Sequence, residues 1–369
     1  MNSVPAAVIR RIRPDVQAMQ AYVVQDAQGL IKLDAMENPY LLPAELQRQL
    51  GQRLGTVALN RYPGARIAEL KRLLAAHAGL HEGHELMLGN GSDELISLLA
   101  LACAQPSQVM GKPARACVLA PEPGFVMYAM SAKLQGLDYV GVPLLPDFAL
   151  DLTAMRAAIA QHRPALTYLA YPNNPTANLW NDDAMQAVID AVANVEGLVV
   201  IDEAYQPFAA RSYASGLAQF DHVLLLRTLS KFGLAGVRLG YLIGPEPLIA
   251  QIDKVRPPYN ISVLNCEAAM FALENQEIFA AQAQQIRAQR ALLLGALGQL
   301  PQVRAFPSEA NMVLLRVPNA QHTFESMKAH GVLIKNVSKM HPLLDQCLRL
   351  TVGTESENRQ MLAALKASL

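Results

Sequence analysis

Three short segments carry residue types that can hold and work a phosphorylated, electron-withdrawing small molecule. Arg227-Thr228-Leu229-Ser230-Lys231 sets a lysine directly after a β-rich run and among small or apolar neighbours. An amine in such surroundings is poorly solvated as a cation, which makes it a nucleophile towards carbonyls and a proton carrier. The competing reading is a solvated loop lysine. Val199-Val200-Ile201-Asp202 ends a β-branched run in an acid, followed by Glu203-Ala204-Tyr205. At the carboxyl end of a buried strand such a carboxylate can hold the proton of a heterocyclic nitrogen. Taken alone, capping a helix is the commoner duty of an Asp there. Gly89-Asn90-Gly91-Ser92-Asp93-Glu94 precedes an apolar run from Leu95. Small residues opening a helix leave backbone N–H groups for a phosphate, or else make a plain turn capped by Ser92. The segment is not a dinucleotide fingerprint, because Glu94 stands at the third glycine position.

Read in chain order, these segments give a phosphate cradle, an acid, a lysine and, at Arg238, a cation that with Ser230 can meet the same phosphate. That set suits pyridoxal 5′-phosphate (PLP), which needs an amine for its aldehyde and an acid for its ring nitrogen. Asp202 and Lys231 are separated by enough chain for one helix and one strand, which predicts that both sit at one edge of neighbouring strands.

The elements that must position them alternate. Strands are predicted at 117–120, 166–170, 198–201, 222–226 and 239–243, with helices at 152–161 and 182–193 between some of them. The apolar run 95–104 reads as a buried helix. Such alternation predicts an α/β fold with a mainly parallel, doubly wound sheet. After Tyr259 a long helical stretch, 263–297, leads to a smaller α+β unit with strands at 313–317, 332–334 and 348–352 and helices at 321–330 and 355–369. The expected division is an N-terminal segment, 1–45, that joins or covers the small unit, a large domain, 46–270, and a small C-terminal domain, 271–369. The small domain thus draws on both termini.

Composition excludes several classes. Lys+Arg and Asp+Glu each number 31, and the sole basic cluster is Arg10-Arg11-Ile12-Arg13, so no nucleic-acid partner is expected. The chain is 52% hydrophobic, yet no apolar run reaches the ~18 residues of a membrane span. The N-terminus is first apolar and then basic, the reverse of a secretory signal. Cys103, Cys117, Cys266 and Cys347 form no CxxC pair and are expected to be reduced thiols in a cytoplasmic protein. His77, His81 and His84 have a metal-like spacing but fall at a helix end before Gly83, so no metal is expected.

With these segments in view, the chain resembles the fold-type I PLP aminotransferases, and within them the histidinol-phosphate aminotransferases. The likeness runs from Asp34-Ala35-Met36-Glu37-Asn38-Pro39-Tyr40 to Leu348-Arg349-Leu350-Thr351-Val352-Gly353-Thr354. Asn173-Asn174-Pro175-Thr176 and Ser230-Lys231 belong to the superfamily pattern, while Glu37-Asn38-Pro39-Tyr40 and Arg61-Tyr62-Pro63 point to the histidinol-phosphate branch. The resemblance implies that Lys231 carries the cofactor as a Schiff base and moves protons, and that Asp202 pairs with the ring nitrogen. It implies that Asn174 and Tyr205 donate to the ring's phenolate oxygen and that Phe125 stacks on the ring. Gly91, Ser92 and Asp93, with Ser230 and Arg238, would surround the phosphate. Tyr62 would reach the phosphate of a neighbouring subunit, making a homodimer with shared active sites. Arg349 would clamp the α-carboxylate of glutamate, and Tyr22, Asn38 and Lys335 would face the phosphorylated substrate. Asn174-Pro175 is a candidate cis peptide.

Three positions depart from the family pattern. Ala177 replaces a glycine, Phe125 a frequent tyrosine, and Lys335 a frequent arginine, trading a planar fork for a point charge. The implied reaction is amino transfer between glutamate and imidazole-acetol phosphate, giving histidinol phosphate and 2-oxoglutarate. The alternatives are an aromatic aminotransferase, a decarboxylase of a phosphorylated amino acid, or a PLP-binding regulator that has kept the fold.

Overall fold

The computed structural model describes residues 6–21, 25–109 and 112–369. Among these, seven strands form the large sheet: β1 (His84–Gly89), β2 (Cys117–Glu122), β3 (Asp138–Pro143), β4 (Leu166–Ala170), β5 (Leu198–Asp202), β6 (Val223–Thr228) and β7 (Gly240–Pro245). Their order is β1-β7-β6-β5-β4-β2-β3. All neighbours run parallel except at β7, which is antiparallel to both β6 and β1. The predicted mainly parallel sheet is therefore present. β1 and β3 were not expected from the sequence, and both are edge strands. His84-Glu85 opens β1, and Gly141 and Pro143 interrupt β3, so neither shows the β-branched run that marks the buried centre.

Strands β4, β5 and β6 are almost wholly buried, as continuous Val/Ile/Leu runs require when helices cover both faces. One apolar cluster joins Leu169, Val199, Ile201 and Leu225 to Met185, Val188 and Ile189 of the helix Asp182–Ala193. The other gathers Tyr168, Val200, Leu224 and Leu226 with Leu95 and Leu99 of the helix Ser92–Ala102. The alternation of neighbours along one strand sends successive side chains to opposite layers.

A second sheet is antiparallel, with β8 (Arg304–Ala305), β9 (Met312–Arg316), β10 (Lys335–Asn336) and β11 (Cys347–Thr351) in the order β8-β9-β11-β10. Its core also takes in Leu33 and Met36 from the N-terminal segment. Two expectations are corrected here. The stretch 263–297 is two helices, Val263–Glu274 and Gln276–Leu297, parted at Asn275. The strand expected at 332–334 lies outside this sheet; Val332–Leu333 pairs in parallel with Ile31–Lys32. Gly331, at a positive φ of 83°, and the short strand after it redirect the chain.

Candidate active site

The carboxyl ends of β2, β4, β5 and β6 open on one cleft that is continuous with solvent. It lies where open α/β sheets place their ligands. Phe125 and Tyr128 reach it after β2, Asn174 after β4, Asp202 and Tyr205 from β5, and Ser230 and Lys231 after β6. Ser92, Asp93 and Arg238 close one end, and Met36 of the N-terminal segment lies along it.

Asp202 is buried, and among the described residues no cation pairs with it. Tyr128 Oη donates to its Oδ2 at 2.7 Å and the Ala204 amide to its Oδ1 at 3.0 Å. Burial outweighs both bonds and pushes the carboxyl up to about 6. The group is thus ionised near neutral pH while strongly seeking a positive partner. Lys231 is affected in the opposite sense. Burial, with Arg349 and Arg238 nearby, lowers its ammonium to about 8. Its Nζ donates to the Ala35 carbonyl at 3.2 Å and lies 5.9 Å from the Tyr205 ring centre.

Tyr205, Asn174 and Arg349 form a chain of polar contacts at the same cleft. Asn174 Nδ2 donates to Tyr205 Oη at 3.1 Å, and Arg349 Nη1 donates to Asn174 Oδ1 at 2.7 Å. Burial raises the Tyr205 phenol, with Arg349 opposing. Arg349 Nη2 also holds the Asp34 carbonyl at 2.9 Å. Peptide bonds 122–123, 171–172 and 174–175 are cis, the last as expected. The turn bearing Asn174 continues into Ala177, which is buried with φ at 64°. A left-handed residue there accounts for glycine in relatives of the pattern, and alanine carries the same turn at a cost of about 1 kcal/mol.

The anion end is built from backbone. Helix Ser92–Ala102 starts after Gly91, at φ 80°, and no side chain caps it. Ser92 is the first helical residue, so the reading of Ser92 as a cap is corrected. A Cβ at Gly91 would stand 2.8 Å from Arg238 Nη2, and one at Gly240 would stand 2.7 Å from the Ser92 amide. Both positions must be glycine for strand, helix end and guanidinium to meet. Arg238 reaches Asp93 Oδ2 at 3.3 Å and Ser230 Oγ at 3.5 Å, and Thr228 braces Ser230 through its hydroxyl. Glu94 is spent on the loop itself, accepting from the Asn90 amide and from Asn260. A buried acid, an amine whose ammonium burial lowers to about 8, an uncapped helix end and a cation around one cleft fit the groups of PLP in kind and in order.

The remaining expected residues are placed as follows. Lys335 and Arg349 are register partners on adjacent strands, so their side chains share one face of the second sheet. Asn38 is an anchor: Nδ2 bonds Gln282 and the Phe232 carbonyl, and Oδ1 takes the Tyr40 amide. Tyr62 is 74% exposed and stacks on Tyr259 with ring centres 4.1 Å apart, away from the cleft of its own chain. Tyr22 lies outside the described residues. Tyr128 went unrecognised in the sequence. Its only signal is the three-residue spacing from Phe125 at a helix start, in a segment whose Met and Ala content reads as core.

Residues 28–365 match the family described as aminotransferase class I and II. The chain is 66% identical to the histidinol-phosphate aminotransferase of Methylibium petroleiphilum, over 98% of this chain and 95% of that one. It is 64% identical to the corresponding protein of Polaromonas naphthalenivorans, over 97% and 96%. Its fold matches histidinol-phosphate aminotransferase from Sinorhizobium meliloti, solved with pyridoxal-5′-phosphate, with a TM-score of 0.83, 24% identity and 97% of each chain covered.

Proposed function

Since this chain belongs to the class I and II aminotransferases, and among them to the histidinol-phosphate aminotransferases, we propose that the cleft described above is where its amino transfer takes place. The reaction is PLP-dependent transamination in histidine biosynthesis, between glutamate and imidazole-acetol phosphate, yielding histidinol phosphate and 2-oxoglutarate. The observation that carries the assignment is the meeting of Lys231, Asp202 and the uncapped helix end at Ser92 on one cleft.

When bound, PLP supplies an aldehyde that exchanges for an amine and a protonated ring that accepts electron density from Cα. The chain does the rest. Asp202 holds the ring-nitrogen proton, and its isolation from cations keeps that pairing strong. Asn174 and Tyr205, already hydrogen-bonded to one another, present donors to the ring oxygen. Phe125 would cover a ring face, and the Ser92 and Asp93 amides beside Gly91, with Ser230 and Arg238, would hold the phosphate. Lys231, with its ammonium near 8, has a useful neutral fraction at neutral pH and moves the proton at the substrate Cα.

Arg349 takes the carboxylate of glutamate through a planar fork. Lys335, its cross-strand neighbour, supplies a second positive charge for the phosphate of the other substrate. Asn38 stays assigned to the substrate side by fixing its segment over the Lys231 loop. Residues 46–270 then form the cofactor domain, residues 271–369 the small domain, and residues 1–45 the segment that joins or covers it.

A cytoplasmic homodimer with shared sites completes the reading. Among the described residues no helix is long and apolar enough to cross a membrane. Leu41, Leu59, Tyr62 and Tyr259, between 56% and 83% exposed, come from segments around two helices that pack together, Ala44–Gly55 and Val263–Glu274. A second copy would cover them and receive Tyr62 at its cofactor phosphate.

The test is glutamate formation by purified holoenzyme given histidinol phosphate and 2-oxoglutarate. Turnover is expected with this pair. An enzyme that ignores histidinol phosphate but accepts aromatic amino acids, or one that releases carbon dioxide, would overturn the assignment.

A further inference from the structure

We propose that Glu267 is a positioning residue that sets Tyr62 for the cofactor phosphate of the other subunit; this rests on the shared-site reading above. Glu267 lies in the buried helix Val263–Glu274, and its side chain is only 4% exposed. A lone carboxylate there would be costly, and it is held by two guanidinium groups. Arg53 Nε meets Oε2 at 2.9 Å, and Arg66 Nε meets Oε1 at 2.6 Å.

The two arginines mark the ends of one loop. Arg53 sits in the last turn of the helix Ala44–Gly55, and Arg66 opens the helix Arg66–Ala78. Everything between them, including Arg61-Tyr62-Pro63, hangs from these two ends. One carboxylate therefore fixes both ends of the loop. Its helix also begins just after Tyr259, on which Tyr62 stacks within 13° of parallel. Asn260, next in the chain, donates to Glu94 of the cradle segment at 2.7 Å and to the Leu88 carbonyl, in the strand that leads into it, at 3.3 Å. The stretch 259–267 thus ties the loop that reaches outward to the phosphate cradle of its own chain. A shift of Glu267 would move both anchors of an exposed tyrosine without touching Lys231 or Asp202.

Removing Glu267 leaves Arg53 with Glu274 and Arg66 with Glu69, and both arginines are partly exposed, so the fold tolerates the change. PLP release from the holoenzyme, followed after dilution into a PLP scavenger, is expected to be about tenfold faster in Glu267→Ala. Glu267→Gln, which keeps the shape and one acceptor, is expected to lie between it and wild type. Tyr62→Phe alone is expected to speed release, and Glu267→Ala should add little to it, because the two act through one contact.

Mixed dimers decide whether the effect crosses the interface. Pairing a Glu267→Ala subunit with a Lys231→Ala subunit leaves one site whose lysine comes from the first and whose Tyr62 comes from the second. Release at that site is expected to return to the wild-type rate. If it stays fast, Glu267 acts only within its own subunit and the proposal fails. If Tyr62→Phe has no effect on release, the shared-site reading fails and takes the proposal with it. If Tyr62→Phe speeds release but neither Glu267 variant does, the shared site stands and the positioning role falls.

Discussion

Asp202 and Glu203 are adjacent, both more than nine-tenths buried, and yet their surroundings are opposites. Side chains at the end of β5 point to alternate faces of the sheet. On one face Glu203 meets a full set of partners: Arg227 through Nε at 3.0 Å and Nη2 at 2.8 Å, the Ser212 hydroxyl and the Tyr213 amide. On the other, Asp202 has two neutral donors and no cation. The same strand end therefore carries one acid whose charge is satisfied within the chain and one whose charge is left for a ligand. Burial alone does not mark a functional carboxylate. What marks it is burial without a counter-charge, facing a cleft.

The ligand-facing side should break activity and spare the fold. Lys231→Ala should cut turnover by at least about 10⁴-fold, as loss of a reacting group does, with an unchanged thermal midpoint in the cofactor-free protein. A midpoint that collapses would place Lys231 on the structural side of the comparison.

Asp202→Asn should lower kcat by roughly 10²–10³-fold, the scale for losing one preorganised electrostatic partner. Its effect on stability has the opposite sign. The folded carboxyl titrates at about 6 against an ordinary 3.8. The folded state therefore holds more protons between those values, and the stability this gives is lost as pH rises through about 6. Without cofactor, the wild-type protein should lose stability across pH 4 to 6, and Asp202→Asn should flatten that slope. A slope identical in both proteins would remove the argument.

Glu203→Gln should do the reverse. It leaves Arg227 buried against a neutral amide, which costs about 3 kcal/mol of stability, read as a lowered thermal midpoint, while kcat of the folded fraction stays within a few fold. Equal damage to kcat and stability would erase the distinction between the two faces.

The smallest effect sharpens the comparison most. Tyr128→Phe removes the hydrogen bond that holds the Asp202 carboxyl down, so that carboxyl should rise further. Activity should fall about tenfold, with the acid limb of the cofactor-affinity profile moved to higher pH. An unmoved limb would mean that Tyr128 is packing and nothing more.

Much of this was legible in the chain. Lys231, Asp202, Ser230 and Arg238 were readable because strand ends in a parallel sheet share an edge, so order along the sequence becomes proximity in space, while Asn174 and Tyr205 came from the family resemblance alone. Strands β4, β5 and β6 were readable from their apolar runs. Edge strands β1 and β3 were not, because β1 opens on His84-Glu85 and has only Leu and Met at its core, and β3 is largely unburied and needs no such run. Tyr128 escaped for a different reason. Its hydroxyl acts on a residue from another element, and nothing along the sequence distinguishes a tyrosine that braces a carboxylate from one that fills a core. Asn38 and Tyr62 show the converse. The family resemblance suggested a site for both, but where such side chains point depends on packing between distant segments, which spacing does not encode.

The reactive amine rests on the carbonyl of Ala35, a main-chain acceptor. No change of codon at position 35 can delete that oxygen, so a substitution scan there does not test the contact directly. It yields only to insertions, deletions or backbone-stiffening changes such as proline nearby, which shift the segment as a whole. For this stretch, tolerance to length change is the informative genetic measurement.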